Sequence, residues 1–327
     1  MTATRHHVLM TALIGLAAAF TGMFAGCSTN PATGRSQLAF FGRDWEIEIG
    51  QQAAPGLVEE FGGEVKDAEL RAYVADIGAR LARHTEADFP SLPWTFTLLD
   101  SDVINAFALP GGKVFFSRGL AARMTDEAQM AGVLGHEIGH VTARHTAERI
   151  SQVTLIQGAV QIAGVAADSA GGSGAGQLLP ALNVGGQLVT LKFGRDQESE
   201  ADSLGLRYMS KENYNPWAML KVMEILKEAS GGEGSSEWMS THPLPETRIQ
   251  RITQELQRDY AFTRDNPEYQ FHEQRYRERF LRRLATRPPP SDPRASTPLA
   301  IDLSDPSAWC SLCAAQPSVA HSERQGP

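Results

Sequence analysis

The sequence predicts an α+β fold that is mainly α, with a small β-sheet next to a buried helix. Residues 44–61 and 67–84 repeat apolar side chains at helical spacing, and residues 128–145 combine small and apolar side chains as a buried helix does. Between these helices, residues 94–116 are rich in strand-forming residues. A chain of 327 residues, 42% hydrophobic and 21% charged, is long enough for one large domain with a sizeable core.

The first 26 residues have the pattern of a bacterial lipoprotein signal peptide. A short polar start precedes an apolar run at 8–20, which is shorter than the roughly 20 residues that a membrane span needs. The motif that ends at Cys27 is imperfect, because Phe24 stands where leucine is usual. We predict that Cys27 is lipidated, and the alternatives are an ordinary cleaved signal or an uncleaved anchor. By resemblance to enterobacterial sorting, Ser28 then directs the protein to the outer membrane.

Residues 27–43 are predicted to be a flexible tether, because turn-forming residues dominate its first half. The two amphipathic helices follow, and both are predicted to pack against the helix at 128–145. In the second, the apolar face comprises Leu70, Tyr73, Val74, Ile77 and Leu81.

The predicted sheet contains a strand at 94–99 and two shorter strands at 105–108 and 114–116. The short strands flank residues 109–112, where proline and then glycine occupy the two central positions. This order is typical of a type II turn, so the segment predicts a hairpin.

The stretch from His136 to His140 carries the predicted chemistry. On a helix, residues four apart differ by about 40° around the axis, so the two histidines project from one side and can hold one zinc ion. Glu137 lies about 100° from His136 and therefore flanks the ion, where it can take a proton from a zinc-bound water. This is a zinc metallopeptidase pattern, although so short a motif also arises by chance. Gly135 and Gly139 predict a close contact with another element.

A third ligand is required. His145 lies about 180° from His136 on the same predicted helix, so it cannot reach the same ion. Glu198 and Asp202 lie four apart on a predicted helix within 194–205. Glu198 is the candidate third ligand, which leaves a fourth position for water, and Asp202 is the candidate hydrogen-bond partner of a ligating imidazole. The alternative is that these acids form a solvated face.

Four segments in order together resemble the gluzincin metallopeptidase family, which includes the CAAX prenyl proteases, the membrane protease HtpX and the periplasmic beta-barrel assembly-enhancing protease. These segments are 105–114, 136–140, 198–202 and 241–249. The best match is to the soluble bacterial lipoprotein members rather than to the four-span membrane members.

The resemblance implies a zincin-like metalloprotease domain over residues 44–260. His136, His140 and Glu198 would hold one zinc ion per chain, with Glu137 as the general base. An edge strand would pair with an extended substrate backbone, although a plain hairpin predicts the same residues: Asn105, Ala106, Phe107 and Ala108.

His242 is a second catalytic candidate by the same resemblance. It either reaches the zinc and occupies the water position, which holds the enzyme latent, or stabilises the oxyanion of the transition state. A surface loop histidine is the plain alternative. Arg248 either stabilises the same charge or pairs with the acidic helix.

The remaining segments carry weaker signals. Residues 153–193 contain two interrupted apolar runs, which predict a helical hairpin over the cleft or on a lipid surface rather than a transmembrane pair. Helices are predicted at 215–228 and 245–256. The last helix, predicted at 264–284 within a C-terminal segment 261–286, is expected to be a solvated cap.

The tail at 287–327 is predicted to be disordered, because proline, serine and alanine dominate it. Its Cys310 and Cys313 are expected to form a local or an intermolecular disulfide in an oxidising compartment.

These expectations describe a zinc metalloendopeptidase of the periplasm, anchored by lipid to the inner leaflet of the outer membrane. Its expected substrates are misfolded or misassembled envelope proteins, and an assembly machinery is a further expected partner. The formal net charge of -8, without a basic run, argues against nucleic-acid binding. The alternatives are a periplasmic chaperone or assembly factor for outer-membrane proteins with latent or minor proteolysis, and a metal hydrolase acting on a non-peptide substrate.

Overall fold

The computed structural model describes residues 27–155, 192–230, 238, 241–242 and 246–289. Three predicted features lie largely or wholly outside these residues: the signal peptide at 1–26, the apolar hairpin at 153–193 and the tail with Cys310 and Cys313. The described part is mainly helical with a two-stranded and a three-stranded sheet, which confirms the predicted fold class.

The strands are β1 (Cys27–Thr29), β2 (Ser36–Leu38), β3 (Thr95–Leu99), β4 (Ala106–Leu109) and β5 (Lys113–Ser117). The helices are α1 (Arg43–Glu60), α2 (Ala68–Ala82), α3 (Arg118–Ala121), α4 (Glu127–Thr142), α5 (145–155), α6 (Arg195–Lys211), α7 (Ala218–Ser230) and α8 (Glu246–Asp259). A final helix, α9, consists of Glu273–Tyr276, a π-helical turn at Arg277–Leu281 and Arg282–Leu284.

Helix α4 lies at the centre of the molecule, and every one of its residues is buried. It packs against α2, α6, α7 and the sheet. Its first turn is capped by Asp126, whose carboxylate accepts a hydrogen bond from the Gln129 backbone at 2.9 Å. A helix buried on all sides holds its side chains in fixed positions, which suits a site that needs exact placement.

Glycines set the close approach of α4 and α6. A Cβ on Gly139 would lie 2.9 Å from the Ala201 carbonyl oxygen, and one on Gly205 would lie 3.0 Å from the His136 nitrogen. Side chains at these positions would push the helices apart. This confirms the predicted close contact at Gly135 and Gly139 and brings the first turns of α6 against the histidines of α4.

The three-stranded sheet has the order β3-β5-β4, in which β5 is central and wholly buried. Strand β3 runs parallel to β5, and β4 runs antiparallel to it with Ala106 opposite Phe116. The turn between β4 and β5 follows the prediction: Gly111 has a φ of +75°, close to the +80° or so of a type II turn. Among the described strands, β4 lies at an edge of this sheet, and it contacts α4.

The predicted single helix at 128–145 is wrong at its end. Helix α4 stops at Thr142, and Arg144 has a left-handed backbone with a φ of +58°. The Arg144 guanidinium pairs with the Glu46 carboxylate at 3.0 Å and donates to the Phe41 carbonyl, which holds this turn. His145 consequently begins a different helix. The angle of about 180° between His136 and His145, which assumed one continuous helix, therefore does not apply.

The predicted flexible tether is wrong for residues 27–38. Strands β1 and β2 pair as a hairpin in which Ser28 lies opposite Gln37. Asn30 in its turn is buried and donates to the Thr142 carbonyl at 2.9 Å, so it caps the last turn of α4. Ala32 joins the main core. The hairpin is thus fixed to the end of the helix that carries the two histidines.

The predicted C-terminal helix at 264–284 is wrong over residues 264–272, because α9 begins only at Glu273. It is also not a solvated cap, since Tyr276, Phe280 and Leu284 are buried in the main core. The Tyr276 hydroxyl donates to the Ala121 carbonyl at 2.8 Å. Within the described ranges, no helix has both the length and the apolar character that a membrane crossing requires.

Candidate metal centre

The two histidines of α4 project from one side of the helix, as their spacing predicts. Their Nε2 atoms lie 3.1 Å apart, and both side chains are buried. Helix α6 contributes Glu198 from its first turn. The Glu198 Oε1 atom lies 3.4 Å from His140 Nε2, and its Oε2 atom lies 3.6 Å from His136 Nε2. The structure therefore brings the three predicted ligands together.

His242 completes the cluster from the loop before α8. Its Nδ1 atom lies 2.9 Å from Glu198 Oε1 and 3.4 Å from His136 Nε2. The four donor atoms of His136, His140, Glu198 and His242 all lie within 4.8 Å of one another. His242 is buried, so the plain alternative of a surface loop histidine is wrong.

The donor set fits a tetrahedral metal ion. Zinc bonds of roughly 2.0–2.1 Å to nitrogen and oxygen place tetrahedral ligand atoms about 3.3 Å apart. With Glu198 Oε1 as the carboxylate donor, four of the separations between donor atoms lie between 2.9 and 3.4 Å, which is close to that value. Two or three imidazoles and one carboxylate are also the ligand types that zinc takes in proteins.

Arg248 fixes the two carboxylates of α6. Its guanidinium lies 2.7 Å from Glu198 Oε2 and makes two bonds to Asp202, at 2.7 and 2.8 Å. Asp202 in turn lies 3.0 Å from the Nδ1 atom of His136. Asp202 thus contacts the imidazole of His136, a candidate ligand. Of the two roles open to Arg248, the structure shows pairing with the acidic helix.

These charges keep the carboxylates ionised although they are buried. Burial alone would raise the pKa of Glu198, but the charges of His242 and Arg248 lower it well below its usual value. Burial opposes ionisation of Asp202 in the same way, and Arg248 lowers the pKa of that carboxyl. An ionised carboxylate is the form that binds a metal ion or accepts a hydrogen bond from an imidazole.

The pKa values of His140 and His242, which both contact Glu198, shift in opposite directions. Burial lowers the pKa of His140 well below its usual value, which favours the neutral imidazole that a metal ion requires. Burial also opposes the charge on His242, but the carboxylates of Glu198 and Glu137 raise its pKa above the usual value.

Glu137 lies beside the cluster rather than in it. Its Oε1 atom is 3.7 Å from His242 Nε2 and accepts a hydrogen bond from the Trp238 indole at 3.4 Å. The Trp238 ring stacks on His242 with 4.7 Å between centroids, and its backbone nitrogen donates to the Ile104 carbonyl just before β4. Sequence reasoning missed Trp238, because a single aromatic residue carries no spacing signal.

Phe193 covers the other side of the cluster. Its ring stacks on His140 with 4.0 Å between centroids, and its backbone nitrogen donates to the Thr241 carbonyl at 3.1 Å. Sequence reasoning placed Phe193 at the end of an apolar hairpin, since aromatic residues in apolar runs usually serve packing. Phe193 and Trp238 together enclose His242 between two rings.

Two other predicted groups lie near the centre. His145 is not among the four donors; its Nδ1 atom instead lies 2.9 Å from the Nδ1 atom of His140, on the ring edge away from the cluster. In the predicted edge strand, Asn105 precedes β4, which begins at Ala106. Ala108 lines a small cavity that His140 also lines, so this strand passes beside the centre.

A family model agrees with this geometry. The model of peptidase family M48 matches residues 68–256, which is more than half of the chain and includes all four donors. The chain belongs to peptidase family M48. The resemblance drawn from the four sequence segments is thereby confirmed, and the cluster on α4 and α6 is the zincin-like arrangement expected of this M48 chain.

Curated relatives of this M48 chain are themselves proteases by name. The beta-barrel assembly-enhancing protease of Escherichia coli K12 is 32% identical over 215 residues, which cover 62% of the chain and 43% of that protein. The mitochondrial metalloendopeptidase OMA1 of Schizosaccharomyces pombe is 31% identical over 230 residues, which cover 69% and 65% respectively. The mitochondrial metalloendopeptidase OMA1 of Danio rerio is 31% identical over 257 residues, which cover 74% and 52%. The chain thus spans less than two thirds of the length of each relative.

Proposed function

We propose that this protein is a zinc-dependent endopeptidase of the bacterial cell envelope. The observation that carries the proposal is the buried cluster of His136, His140, Glu198 and His242 with Glu137 beside it, in a chain of family M48. One bound zinc ion would act as a Lewis acid toward the scissile carbonyl and the attacking water.

Glu137 is the general base in this proposal. Its carboxylate adjoins the donor cluster without being part of it, so it can accept a proton from the attacking water and pass it to the leaving amine. Strand β4 supplies the docking edge for an extended substrate, because it is an edge strand that passes beside His140. Pairing through the main chain accepts many sequences but requires an unfolded segment.

Of the two roles open to His242, the geometry favours the latent form. A catalytic zinc site keeps one coordination position open, whereas a fourth protein donor closes it. The Nδ1 atom of His242 lies in the cluster at ligand spacing, so it would take that fourth position on a bound ion. His242→Ala should therefore raise the rate of peptide cleavage at equal zinc content. A fall in that rate would instead assign His242 to the oxyanion.

The proposed location and substrates rest on the amino-terminal motif and on the relatives. Lipidation of Cys27 would attach the chain to the outer membrane facing the periplasm. One relative is named for beta-barrel assembly, which fits misfolded or misassembled envelope proteins as substrates and an assembly machinery as a partner.

The direct test compares Glu137→Gln with the wild type in cleavage of denatured casein. Loss of a general base should slow cleavage by about 10²–10⁴-fold, while one zinc ion per chain is retained. Glu59→Gln on the exposed face of α1 is the control and should cleave at the wild-type rate. Wild-type cleavage by Glu137→Gln, or protein without stoichiometric zinc, would refute the proposal.

The same variant separates the protease from the alternative chaperone or assembly factor. In a strain whose envelope defect is corrected by the wild-type gene, a protease requires Glu137 and a chaperone does not. We expect Glu137→Gln to fail in this complementation. Full correction by the variant would favour the chaperone function.

A further inference from the structure

The two α4 imidazoles are fixed by different partners on the ring edge that faces away from the cluster. The Nδ1 atom of His136 contacts the Asp202 carboxylate, which Arg248 holds. The Nδ1 atom of His140 contacts a third imidazole, that of His145, at 2.9 Å. A metal-ligating imidazole keeps its geometry through the hydrogen bond of its second nitrogen, so the group behind His140 matters to the centre.

The two contacts of the His145 ring, to His140 and to Glu200, form a chain of hydrogen bonds whose donors and acceptors can be assigned. A neutral His140 that binds metal through Nε2 carries its proton on Nδ1 and donates it to His145 Nδ1. His145 must then carry its own proton on Nε2, which lies 3.0 Å from the Glu200 Oε2 atom. His145 is fully buried, and both of its ring nitrogens are used in this chain of bonds.

Glu200 is held by Arg35 from the amino-terminal hairpin. The Arg35 Nε atom donates to Glu200 Oε1 at 2.9 Å, and its two terminal nitrogens each donate at 2.8 Å to the carboxylate of Glu148 on α5. The hairpin is itself fixed to the end of α4, because Asn30 donates to the Thr142 carbonyl. Arg35 therefore holds the Glu200 carboxylate by hydrogen bonds, in the way that Arg248 holds the Asp202 carboxylate.

We propose that His145 and Glu200, held by Arg35, are positioning residues for the metal ligand His140, and that the hairpin at 27–38 is thereby a working part of the metal centre. The proposal rests on the proposed function, since it requires that His140 binds an ion. It predicts that changes in the hairpin reach the centre although Arg35 touches none of the four donors.

The ordinary alternative is that His145 is a buried histidine whose hydrogen bonds serve stability alone. The two hypotheses predict different effects of a substitution on the affinity for zinc. Loss of a stabilising bond lowers the unfolding temperature and leaves the affinity of the folded protein for zinc unchanged. Loss of a positioning bond weakens that affinity, typically by about 10–100-fold when an outer partner of a ligating histidine is removed.

The test is a zinc affinity measurement on the full chain by competition with a chromogenic chelator. Glu200→Ala should bind zinc about 10–100-fold more weakly than the wild type. Glu200→Gln keeps an oxygen that accepts from His145 and should recover part of the loss. Arg35→Gln leaves the Glu200 carboxylate in place but unheld, and should weaken binding by less than Glu200→Ala does.

Arg283→Gln is the matched control. Arg283 pairs with Asp67 at 2.7 Å, and its side chain is 38% exposed, compared with 37% for Arg35. It belongs to α9 and contacts the cap of α2 rather than the centre. This variant should lose thermal stability and keep the wild-type zinc affinity.

The outcomes separate the two proposals. Wild-type zinc affinity in folded Glu200→Ala and Arg35→Gln, with tight binding by the wild type, would overturn the positioning role and leave the proposed function intact. Equal weakening in Arg283→Gln would also overturn it, because the effect would then be one of general stability. A wild-type chain that binds no zinc would overturn both.

Discussion

At the scale of single residues, Glu137 owes its position to an indole. The Trp238 N–H donates to the carboxylate, and the same ring stacks on His242 while its backbone is bonded to the segment before β4. Trp238 thus contacts the proposed base Glu137, the proposed fourth donor His242 and the segment that precedes strand β4. This hydrogen bond fixes the position of the Glu137 side chain beside the cluster.

Trp238→Phe isolates the hydrogen bond from the ring contact. Phenylalanine keeps an aromatic face against His242 but has no N–H to donate. We expect kcat for peptide cleavage to fall roughly fivefold, which corresponds to about 1 kcal/mol for a long hydrogen bond to a carboxylate. Zinc content and KM should change little, because neither depends on this donor.

Trp217→Phe serves as the control for that substitution. Trp217 packs against the main core at the start of α7, and its indole nitrogen has no hydrogen-bond partner in the part of the chain that the structure describes. Its replacement should leave kcat unchanged. An equal loss of kcat in both variants would show that core packing, not the bond to Glu137, is responsible.

At the scale of elements, the centre depends on how closely α4 and α6 approach. Two histidines come from one helix and the carboxylate from the other, so the distance between helix axes sets the ligand spacing. Gly139 faces the Ala201 backbone at a distance that leaves no room for a methyl group. The glycine is therefore required by the site geometry and not by the helix itself, in which glycine costs about 1 kcal/mol relative to alanine.

Gly139→Ala should accordingly destabilise the protein in spite of its better helix propensity. Overpacking of this kind costs about 1–3 kcal/mol, and the displaced α6 should also carry Glu198 away and weaken zinc binding. Denaturant unfolding and chelator competition measure the two effects. Gly56→Ala in α1, where an added Cβ meets no atom within 4 Å, should raise stability by up to about 1 kcal/mol without any effect on zinc. A stabilised Gly139→Ala variant would contradict the role assigned to the helix contact.

The sequence indicates the centre itself because its spacings follow from helix geometry. His136 and His140, and again Glu198 and Asp202, lie four residues apart, and the period of 3.6 places each pair on one side of a helix. Strands β3, β4 and β5 and the turn at Gly111 were predictable from local propensities. His242 entered only through resemblance to a family, since nothing in its own neighbours predicts that it reaches two helices.

The failures of prediction arise where distant contacts decide local structure. Residues 128–145 have the pattern of one helix, but Arg144 takes a left-handed backbone in a turn held by Glu46, 98 positions earlier in the chain. The hairpin at 27–38 is made of turn-forming residues that a flexible tether would share. Long-range contacts distinguish the two, such as the bond from Asn30 to the end of α4, which joins residues 112 positions apart.

At the scale of the whole molecule, one buried carboxylate joins four parts of the chain. Glu127 opens α4 and contacts Arg80 of α2, Arg275 of α9 and the hydroxyls of Tyr73 and Tyr214. Burial alone would raise the pKa of Glu127, but its bonds to Arg275 and to the two tyrosines lower it below its usual value. The negative charge also lies at the positive end of the α4 dipole.

The lowered pKa makes the contribution of Glu127 depend on pH. A carboxyl group whose pKa is lower in the folded state stabilises that state fully above its unfolded pKa of about 4.3, and loses this effect as the pH falls through the lower folded value. Glu127→Gln should therefore cost roughly 3 kcal/mol near pH 7, as the loss of a buried ion-pair partner does. The gap to the wild type should narrow below about pH 4.3.

Urea unfolding from pH 7 to pH 3 checks this dependence. Glu224→Gln is the comparison. Glu224 forms an ion pair with Lys221 at 2.8 Å, but both side chains are more than half exposed. Its loss should change stability by at most about 1 kcal/mol at any of these pH values. A gap between Glu127→Gln and the wild type that stays constant across the range would show that packing, not charge, is what Glu127 contributes.

Removal of the metal tests how far the centre supports the fold as a whole. Helices α4 and α6 and the His242 loop meet at the donor cluster, and a ligand that binds only the folded state stabilises it by about 4 kcal/mol at a thousandfold excess over its Kd. For a domain of this size, each kcal/mol shifts the melting temperature by about 2–4 °C, so treatment with a chelator should lower Tm by roughly 8–16 °C.

Zinc should restore Tm, and magnesium, which prefers oxygen ligands in octahedral geometry, should not. Glu198→Ala lacks one donor and should show a much smaller response to the chelator. A wild-type Tm that is unaffected by chelator would mean that α4, α6 and the loop hold their positions without an ion.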